Sequence, residues 1–467
     1  MATETMVPIK PQAPASSSWR SRLGLRYQVL AAVALVALVA LVGGGIYLNG
    51  VYSPEGAARL YVSALASGDV AGAWSTLTVA APGQTVSTSL IERDALAAAL
   101  HSGHPAISAV SVGNAVVDGA EARVPVSYSL AGAARHESLS LVQSGARHLG
   151  LFPTWKVQLH PFVLTLTLAS SAGALSIDGR PVAIATDKPQ AIAVLPLNHR
   201  IQTAGTPMVQ ASSQDLSWLG LDGSGSQAVD LPVKLTPAGE ASAKQSLKAA
   251  FDACAASTDR APSGCPQSSG ALGDRIGWRL VGDPLADLTF SQGAPPSASG
   301  HYLMVQSYTD NVGTKHGVVG GGFQVGLAPS ATDVKAQAIK AMTGLPAVAR
   351  PAGASDQAVR DALGAAFAKC GQATALLVPD CPQLDTTAFP PVNHPQWSLS
   401  GDPSSGASIV WDGDSQALTV TGSFVMYLDY GSVGGAFHDQ SSSRKYAATL
   451  VWDGSAVQVV TIGGVLG

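Results

Sequence analysis

The sequence contains little charge and few aromatic residues. Only 12% of its 467 residues are charged, and 27 Lys and Arg stand against 31 Asp and Glu, which gives a net charge of −4. A disordered polyelectrolyte needs high charge and little apolar content, whereas 46% of this chain is hydrophobic. Nucleic-acid-binding proteins usually carry a basic face. The composition therefore excludes a disordered polyelectrolyte and predicts no nucleic-acid partner.

The motifs that mark common active sites are also missing. The chain has no Gly-x-Ser-x-Gly nucleophile elbow, no His-Glu-x-x-His zinc motif and no Gly-Lys-Ser/Thr phosphate loop. The glycine run at 319–322 lacks both the Lys and the helix start of a phosphate loop, which favours close-packed strand or turn backbone. We therefore predict that the protein is not an enzyme, with no catalytic, cofactor-binding or metal-ligating residues and no cofactor.

A long uncharged segment lies near the N-terminus. No charged residue occurs from Tyr27 to Pro54, and its apolar centre, residues 29–48, is long enough for a membrane-crossing helix of about 30 Å. Four basic residues and one acidic residue precede it. The positive-inside rule then predicts a disordered cytoplasmic tail (1–28), a single-pass signal anchor in the cell membrane (29–48) and an extracytoplasmic remainder. A cleaved signal peptide is the alternative, although its apolar region is usually shorter.

Residues 53–158 are typical of helices followed by short strands. Ser53, Pro54 and Glu55 form a helix-start signal, and the pattern Ala-x-x-Tyr-x-x-Ala-Leu-x-x-Gly-Asp follows at 58–69. Trp74 and a later Leu-Phe-Pro-x-Trp at 151–155 complete the set. These motifs resemble the nuclear transport factor 2-like domains found outside the membrane in Gram-positive envelope proteins, which implies helices packed on one curved sheet.

The same resemblance draws attention to two residues on a predicted helix. Enzymes of the nuclear transport factor 2-like fold usually place an Asp/His pair in the pocket of the domain. Asp94 and His101 are seven residues apart here. They are either such a pair or ordinary surface residues, and the second interpretation is the simpler one.

The pattern of residues 160–238 predicts strands and no helix. Residues 162–168 alternate apolar and polar side chains, and Asp178-Gly179 is a strong hairpin turn between two further strands. Because no helical pattern occurs in this stretch, it predicts a small all-β domain.

The C-terminal half contains an internal repeat. The matches keep their order while the offset grows from 116 to 119 and then to 122, as expected when loops are inserted between fixed elements. This predicts repeat module 1 (239–330), a linker (331–354) and repeat module 2 (355–467), each with one helix, a disulfide loop and several strands. The matched residues are 247–254 with 363–370, 265–267 with 381–383, Trp278 with Trp397, 282–284 with 401–403, Gly300 with Gly422, Met304 with Met426, and Tyr308 with Tyr430.

All four cysteines lie in the repeats, and both pairs are separated by 11 residues. Matched pairs in an exported protein indicate one local disulfide per repeat, Cys254–Cys265 and Cys370–Cys381. A zinc site is the alternative, but it typically needs tight Cys-x-x-Cys pairs, which neither pair provides. The spacing therefore favours two disulfides.

Other candidate site residues in the repeats are few. Asp283 and Asp402 match and each precedes a Pro, so they are either turn formers or ligands, and Asp-Pro favours the turn. The histidines His301 and His316 of the first repeat and His394 and His438 of the second are expected to lie at unrelated positions. A catalytic or metal role shared by both copies is therefore not expected.

The order of segments resembles the teicoplanin-resistance-associated membrane protein family of Gram-positive bacteria, although the cytoplasmic zinc ribbon usual in that family is missing. The predicted fold class is multidomain α+β, with a single N-terminal transmembrane helix, a nuclear transport factor 2-like α+β domain, a small all-β domain and two tandem disulfide-containing α+β repeats. The resemblance implies a non-catalytic envelope protein that binds a partner protein, peptidoglycan or a lipid-linked precursor. An anchored small-molecule receptor and, less favoured, an envelope hydrolase are the alternatives.

Overall fold

The computed structural model describes most of the chain beyond the N-terminal segment. The described residues are 30–38, 52–82, 86–103, 105–148, 152–168, 172–185, 188–221, 223, 225–271, 273–310, 313–385, 388, 391–442 and 444–465. Residues 30–38 form a helical segment, α1, with exposed side chains. The predicted tail, 1–28, and most of the predicted anchor, residue 29 and residues 39–48, lie outside the described residues.

The predicted fold class, multidomain α+β with a transmembrane helix, is wrong. Strands make up 46% of the structure and helices 19%, so the chain is mostly β. Within the described ranges, no helix is both long and apolar enough to cross a membrane. The α+β expectation failed because each repeat has one helix against five or more strands, and two of those strands reach 13 and 16 residues.

The remaining helices and the strands follow in chain order. The helices are α2 (Pro54–Ser67), α3 (Val70–Thr76), α4 (Arg93–Gly103), α5 (Pro237–Ala255) and α6 (Asp356–Cys370). The strands are β1 (Leu77–Val79), β2 (Ser87–Leu90), β3 (Ile107–Val112), β4 (Val116–Asp118), β5 (Glu121–Leu130), β6 (Ala133–His148), β7 (Phe152–Leu159), β8 (Phe162–Thr167), β9 (Leu175–Ile177), β10 (Arg180–Val182), β11 (Gln190–Val194), β12 (His199–Thr203), β13 (Ser212–Leu216), β14 (Ser226–Asp230), β15 (Asp274–Leu280), β16 (Thr289–Ser291), β17 (Ser297–Thr309), β18 (Thr314–Pro329), β19 (Val334–Met342), β20 (Asn393–Ser400), β21 (Ser408–Asp412), β22 (Ala417–Ser423), β23 (Val425–Ser432), β24 (Gly435–Gln440), β25 (Lys445–Trp452) and β26 (Val457–Val465).

The chain divides into two compact units. Unit 1 comprises Met1–Leu164, Ala191–Arg200 and Asp215–Gln227, and unit 2 comprises Thr165–Gln190, Ile201–Gln214 and Ala228–Gly467. The predicted domain at 53–158 lies in unit 1 and both repeats lie in unit 2. Residues of the predicted small β domain (160–238) are divided between the two units.

Unit 1 contains helices α2 to α4 and a sheet in the order β1-β7-β6-β5-β3, with β4 paired to β5. Helix α2 begins where the helix-start signal predicts, because the Ser53 hydroxyl accepts a hydrogen bond from the Gly56 N–H at 3.1 Å. It ends at Gly68, whose φ of 71° lies in the left-handed region. Its apolar stripe, with Tyr61 1% exposed, packs in the same core as Trp155 of β7.

A partly buried polar network fixes a late segment of unit 1 to this sheet. The Tyr128 hydroxyl donates to the Glu137 carboxylate and accepts from the Trp218 indole N–H at 2.8 Å. The other Glu137 oxygen accepts from the Leu221 N–H at 2.5 Å. Burial, reinforced by the Glu137 carboxylate, holds the pKa of Tyr128 well above its usual value, so this hydroxyl stays a donor.

Unit 2 begins with a short hairpin and continues into the two repeats. Asp178-Gly179 forms the predicted turn between β9 and β10, with φ of 53° and 77°. Module 1, α5 to β19, has the sheet order β15-β17-β18-β19 with β16 on β17, and β19 occupies part of the predicted linker. Module 2, α6 to β26, has two sheets, β20-β23-β24 and β21-β22-β25-β26.

The two modules share one strand plan. The long strand β17 corresponds to β22 plus β23, and β18 corresponds to β24 plus β25, so module 2 is the same sheet broken at Phe424 and at residues 441–444. Equivalent registers support this: Trp278 lies opposite Gln306, and Trp397 lies opposite Leu428. Trp397 follows Trp278 by 119 residues and Leu428 follows Gln306 by 122, which are the sequence offsets between the repeats.

The helix of each module packs on the same aromatic set. Phe251 and Phe367 are 0% exposed, and each meets a strand ring edge-on, Phe323 at 5.0 Å and Tyr446 at 4.9 Å between centroids. A second ring, Tyr302 or Phe424, completes the set. Module 1 has Tyr302 and Phe323 at these two positions, and module 2 has Phe and Tyr, so the two residue types have changed places. Burial raises the pKa of both tyrosines to about 12, and each hydroxyl donates to a Pro carbonyl, those of Pro266 and Pro403.

Both predicted disulfides are present, Cys254–Cys265 and Cys370–Cys381, with Cα–Cα distances of 5.7 and 5.8 Å. The Gln that follows each Cys-Pro is buried, and its side-chain N–H donates to the carbonyl of the first cysteine. The repeated Cys-Pro-Gln therefore joins the helix end to the loop twice, once covalently and once through a hydrogen bond.

The matched glycines Gly300 and Gly422 are required by the aromatic rings beside them. Gly300 pairs across the sheet with Phe323, and Gly422 with Tyr446. A Cβ at Gly300 would lie 3.2 Å from the Phe323 ring, and one at Gly422 would lie 2.6 to 2.8 Å from the Tyr446 ring and hydroxyl. Each ring therefore covers the glycine opposite it.

Substitution of these glycines should test this packing. We expect Gly422→Ala to destabilise module 2 by about 1–3 kcal/mol because the ring is enclosed and cannot shift freely. Gly300→Ala should cost less, because its ring contacts are longer. Gly364→Ala is the matched control: it lies in α6 with no heavy atom within 4 Å of the new Cβ, and should stabilise the helix by about 1 kcal/mol. Urea unfolding followed by tryptophan fluorescence measures all three, and an unchanged midpoint for Gly422→Ala would contradict the packing argument.

Loss of one disulfide should act on its own module. We expect replacement of Cys254 and Cys265 by Ser to destabilise module 1 by about 2–5 kcal/mol, because the unfolded chain regains the freedom of the closed loop. Module 2 keeps its own disulfide and should be destabilised less than module 1. The same replacement at Cys370 and Cys381 is the mirror control, and hydrogen exchange assigned to β17 and β25 separates the two modules. Equal loss of protection in both strands from either variant would contradict a local effect and show that the two modules unfold as one cooperative unit.

Candidate binding surface on the second module

The outer face of the module 1 sheet is covered by module 2. Val281, Leu303 and Val305 of module 1 are buried in one cluster with Val451 and Val460 of module 2. These module 1 residues lie on the side of the sheet opposite Tyr302 and Met304, which face the core of module 1. We call this side of module 1 the junction face. Burial of each such side chain contributes about 1.5–3 kcal/mol.

The disulfide loop of module 2 adds a polar contact to this junction. Asp380 accepts the His316 N–H at 3.2 Å, and its second oxygen lies 2.6 Å from His316 Nδ1. The Asp380 carbonyl accepts the Ile462 N–H at 3.0 Å, as the Gly264 carbonyl accepts the Ile339 N–H in module 1. Asp380 and Gly264 are thus equivalent, and both have positive φ, 57° and 77°. Module 2 has an Asp where the backbone favours Gly, and that Asp binds the other module.

The expectation that the histidines lie at unrelated positions is wrong for one pair. His316 lies opposite Ser307, and His438 lies opposite Asp429, in equivalent strands. Both pairs differ by 122, the offset of Tyr308 and Tyr430, so this shared position was detectable in the sequence. The partners differ: His316 takes its Asp from the other module, whereas His438 Nδ1 lies 2.5 Å from Asp429 of its own hairpin.

The face of module 2 that corresponds to the junction face is polar, and its side chains are exposed or half-buried. Direct cross-strand pairs place six side chains on it: Gln396 and Ser398 of β20, Tyr427 and Asp429 of β23, and His438 and Gln440 of β24. We call it the hairpin face. His438 and Asp429 keep 59% and 54% of their side-chain surface exposed. Where the junction face has Val305 and Val318, the hairpin face has Tyr427 and Gln440.

The hairpin face combines one aromatic platform with hydrogen-bonding groups. The Tyr427 ring stacks on the His438 imidazole at 4.7 Å with an interplanar angle of 17°. Asp429 holds the imidazole in place from the neighbouring strand. Amides and hydroxyls of Gln396, Ser398 and Gln440 surround this pair, so the face offers a flat ring surface bordered by donors and acceptors.

The other residues singled out by sequence have structural roles. Asp283 and Asp402 each accept the N–H two residues on, at 2.9 and 2.8 Å, which confirms the turn interpretation. Asp94 and His101 lie at opposite ends of α4, and His101 Nδ1 faces the Ala97 carbonyl at 2.7 Å. The structure does not bring this pair together. In the part of the chain that is described, no group of three or more His, Cys, Asp or Glu could hold a metal ion.

The glycine-rich segment at 319–322 (Val-Gly-Gly-Gly) lets neighbouring backbone and side chains of unit 2 approach strand β18 closely. A Cβ at Gly320 would lie 2.3 Å from the Ser415 carbonyl of module 2. One at Gly322 would lie 2.9 Å from the Leu345 side chain. These residues are strand backbone, as the sequence favours, and they bring β18 against module 2 and against the connection between the modules.

Unit 1 has a cleft of its own, of about 440 Å³, lined in part by Trp218, Arg200 and Asp215. The Arg200 guanidinium binds Asp215 through two nitrogens, at 2.7 and 3.1 Å. This hydrogen bonding lowers the pKa of Asp215. The charged groups of the cleft therefore already neutralise each other, which leaves less for a charged ligand to bind.

Comparison with known proteins adds little. No protein-family model and no curated protein matches the chain. One solved structure, titled "Ntf2 like protein involved in plasmid conjugation", shares 10% identity, with 42% of this chain and 79% of that chain covered and a TM-score of 0.14. At that TM-score the likeness carries no argument about fold or function.

The fold and the disulfides are those of a mostly β protein from an oxidising compartment. The chain is mostly β and carries two duplicated modules, each closed by a local disulfide. Disulfides form and persist in oxidising compartments outside the cytoplasm. The described part of unit 2 therefore belongs to an extracytoplasmic environment.

The contact between His316 and Asp380 can be tested through one amide. We expect His316→Ala to speed exchange of the Ile462 N–H about two- to fivefold, because a half-exposed pair of this kind contributes about 0.5–1 kcal/mol. His438→Ala is the matched control, since its Asp partner lies in its own hairpin, and it should leave Ile462 unchanged. Asp380→Asn alone should speed the Ile462 exchange as much as His316→Ala does. The double variant should show no further increase. Equal rates in parent and His316→Ala protein would show that the pair does not stabilise the junction.

Proposed function

We propose that this protein is a non-catalytic extracytoplasmic envelope protein whose hairpin face binds a hydroxyl-rich polymer of the cell wall. The observation that supports it is the contrast between two equivalent faces. On module 1 the face is aliphatic and covered, and on module 2 it is polar and aromatic, with His438 and Asp429 exposed and Tyr427 half-buried.

The composition of the hairpin face favours a glycan over a protein partner. The cores of protein interfaces are depleted in charged side chains and bury apolar area, but the exposed groups at this position are Asp429, His438 and amides. A sugar ring presents C–H groups on one side and hydroxyls at its rim. It therefore matches an aromatic platform such as Tyr427 bordered by Gln396 and Gln440.

A receptor function for the cleft of unit 1 is less favoured, because its Arg200–Asp215 pair is internally neutralised. A polar outer face could also serve only to keep a terminal repeat soluble. The resemblance to the teicoplanin-resistance-associated family agrees with an envelope function and stays a prediction.

Cosedimentation with purified peptidoglycan sacculi tests the proposal. We expect the parent protein to bind and Tyr427→Ala to lose about three- to tenfold in affinity, as expected for one stacking contact. Gln440→Ala should weaken binding less, since only one hydrogen bond is lost. Gln337→Ala is the matched control, because Gln337 is exposed on β19, on a strand face of module 1 without an aromatic side chain.

Two results would count against the proposal. If the folded parent protein, checked by circular dichroism, does not sediment with sacculi, the hairpin face does not bind the polymer and serves only to keep the terminal repeat soluble. Equal binding by parent and Tyr427→Ala protein would move the polymer site elsewhere on the chain. Soluble wall fragments that shift the Tyr427 and His438 ring resonances would give independent support.

A further inference from the structure

A second feature of module 1 has the geometry of a small-molecule site. His301 of β17 is 5% exposed, and it lines a cavity of about 350 Å³ together with Asp287, Thr289 and Ser299. This volume lies within the range of ligand pockets, at its small end. The cavity is separate from the hairpin face and belongs to the first repeat.

Asp287 determines which nitrogen of His301 carries the proton. One Asp287 oxygen accepts the His301 backbone N–H at 3.1 Å, and the other lies 2.6 Å from Nδ1. A carboxylate only accepts hydrogen bonds, so Nδ1 is the protonated nitrogen. With the proton at Nδ1, the other ring nitrogen, Nε2, is the acceptor position that a neutral imidazole offers.

That acceptor is unused within the described part of the chain. The structure gives Nε2 no hydrogen-bond partner there, and Nε2 is not among the fully enclosed unpaired atoms. His301 therefore presents an unpaired acceptor to the cavity while the rest of its side chain is buried. Such a group normally has a partner when the site is occupied.

The opposite wall is apolar and held in place. It consists of residues 345–349, the connection between the modules, and Leu345 packs beside Gly322, which lies opposite His301 on β18. The Val348 N–H donates to the Gly413 carbonyl at 3.0 Å, and the Val348 carbonyl accepts the Trp411 indole N–H at 2.9 Å. The wall is thus built into the fold.

From this arrangement we propose that the cavity binds a small organic ammonium ion with a short apolar body. An ammonium group has three donors, and the cavity offers the Nε2 lone pair and the hydroxyls of Thr289 and Ser299, which lie 3.0 Å apart. Asp287 supplies the negative charge, and no Lys or Arg is among the residues described as lining the cavity. The apolar body contacts residues 345–349.

The charge of the site distinguishes this ligand from its analogues. An alcohol of the same shape keeps one hydrogen bond to Nε2 but loses the attraction to Asp287. A carboxylate of the same shape is repelled by Asp287 and has no donor for Nε2. The expected order of affinity is therefore amine, alcohol and carboxylate.

Titration of the full protein with isoamylamine, isoamyl alcohol and isovalerate tests the order. Nitrogen-15 spectra of the imidazoles report on His301, and we expect isoamylamine to shift its Nε2 resonance with a Kd of about 1–10 mM. Isovalerate should bind at least about tenfold more weakly. His438 is an internal control, because it forms the same Nδ1–Asp contact at an exposed site and should not shift.

Two variants separate binding from folding. Asp287→Asn removes the negative charge and should weaken isoamylamine about tenfold, and isoamyl alcohol less, because an alcohol can also accept a hydrogen bond from Nε2. Ala347→Phe enlarges an exposed residue of the apolar wall and should weaken both ligands. No shift of His301 at about 10 mM isoamylamine, or equal affinity for isovalerate, would overturn the proposal. Failure here leaves the sacculus experiment unaffected, because that experiment depends on Tyr427 in the other module.

Discussion

Covering the second face of the module 1 sheet is the constraint on which the rest of unit 2 depends. One face packs on α5 through Phe251, and the other carries Leu303 and Val305, which water would surround if module 2 were absent. A sheet that is apolar on both sides needs a layer on each side. Module 2 is that second layer, so the duplicated copy stabilises the first and both modules belong to one compact unit.

The same constraint explains how the copies differ. Both modules keep the groups that build their own cores: the helix Phe, the glycine under a ring, and the Cys-Pro-Gln loop. They differ at positions facing outward, where Gly264 corresponds to Asp380 and Ser307 to Asp429. An Asp with φ of 57° is strained relative to Gly. Its pairing with His316 gives a physical reason for keeping that residue at the junction.

Features of the fold that depend on local sequence were predictable. The Ser53 cap, the Asp178-Gly179 turn and the two disulfides depend on neighbouring residues or on matched spacing, and all three are present. The α+β class failed because strand number and strand length depend on pairing across the sheet. The hairpin face could not be predicted either, since period-two alternation tells which residues share a face but not which face another module covers.

The histidines show that a sequence offset predicts the position of a residue in the sheet but not its hydrogen-bond partner. An offset of 122 places His316 and His438 at one register, yet their chemistry is set by partners that the offset does not contain, Asp380 and Asp429. His301 has no counterpart, because residue 423 of module 2 is a Ser, and Gly406 occupies the position of Asp287 in a turn of the same length. A duplicated fold thus supplied two similar frameworks. The two His–Asp pairs, one with a buried His in module 1 and one with both residues exposed in module 2, lie at positions that the shared core does not constrain.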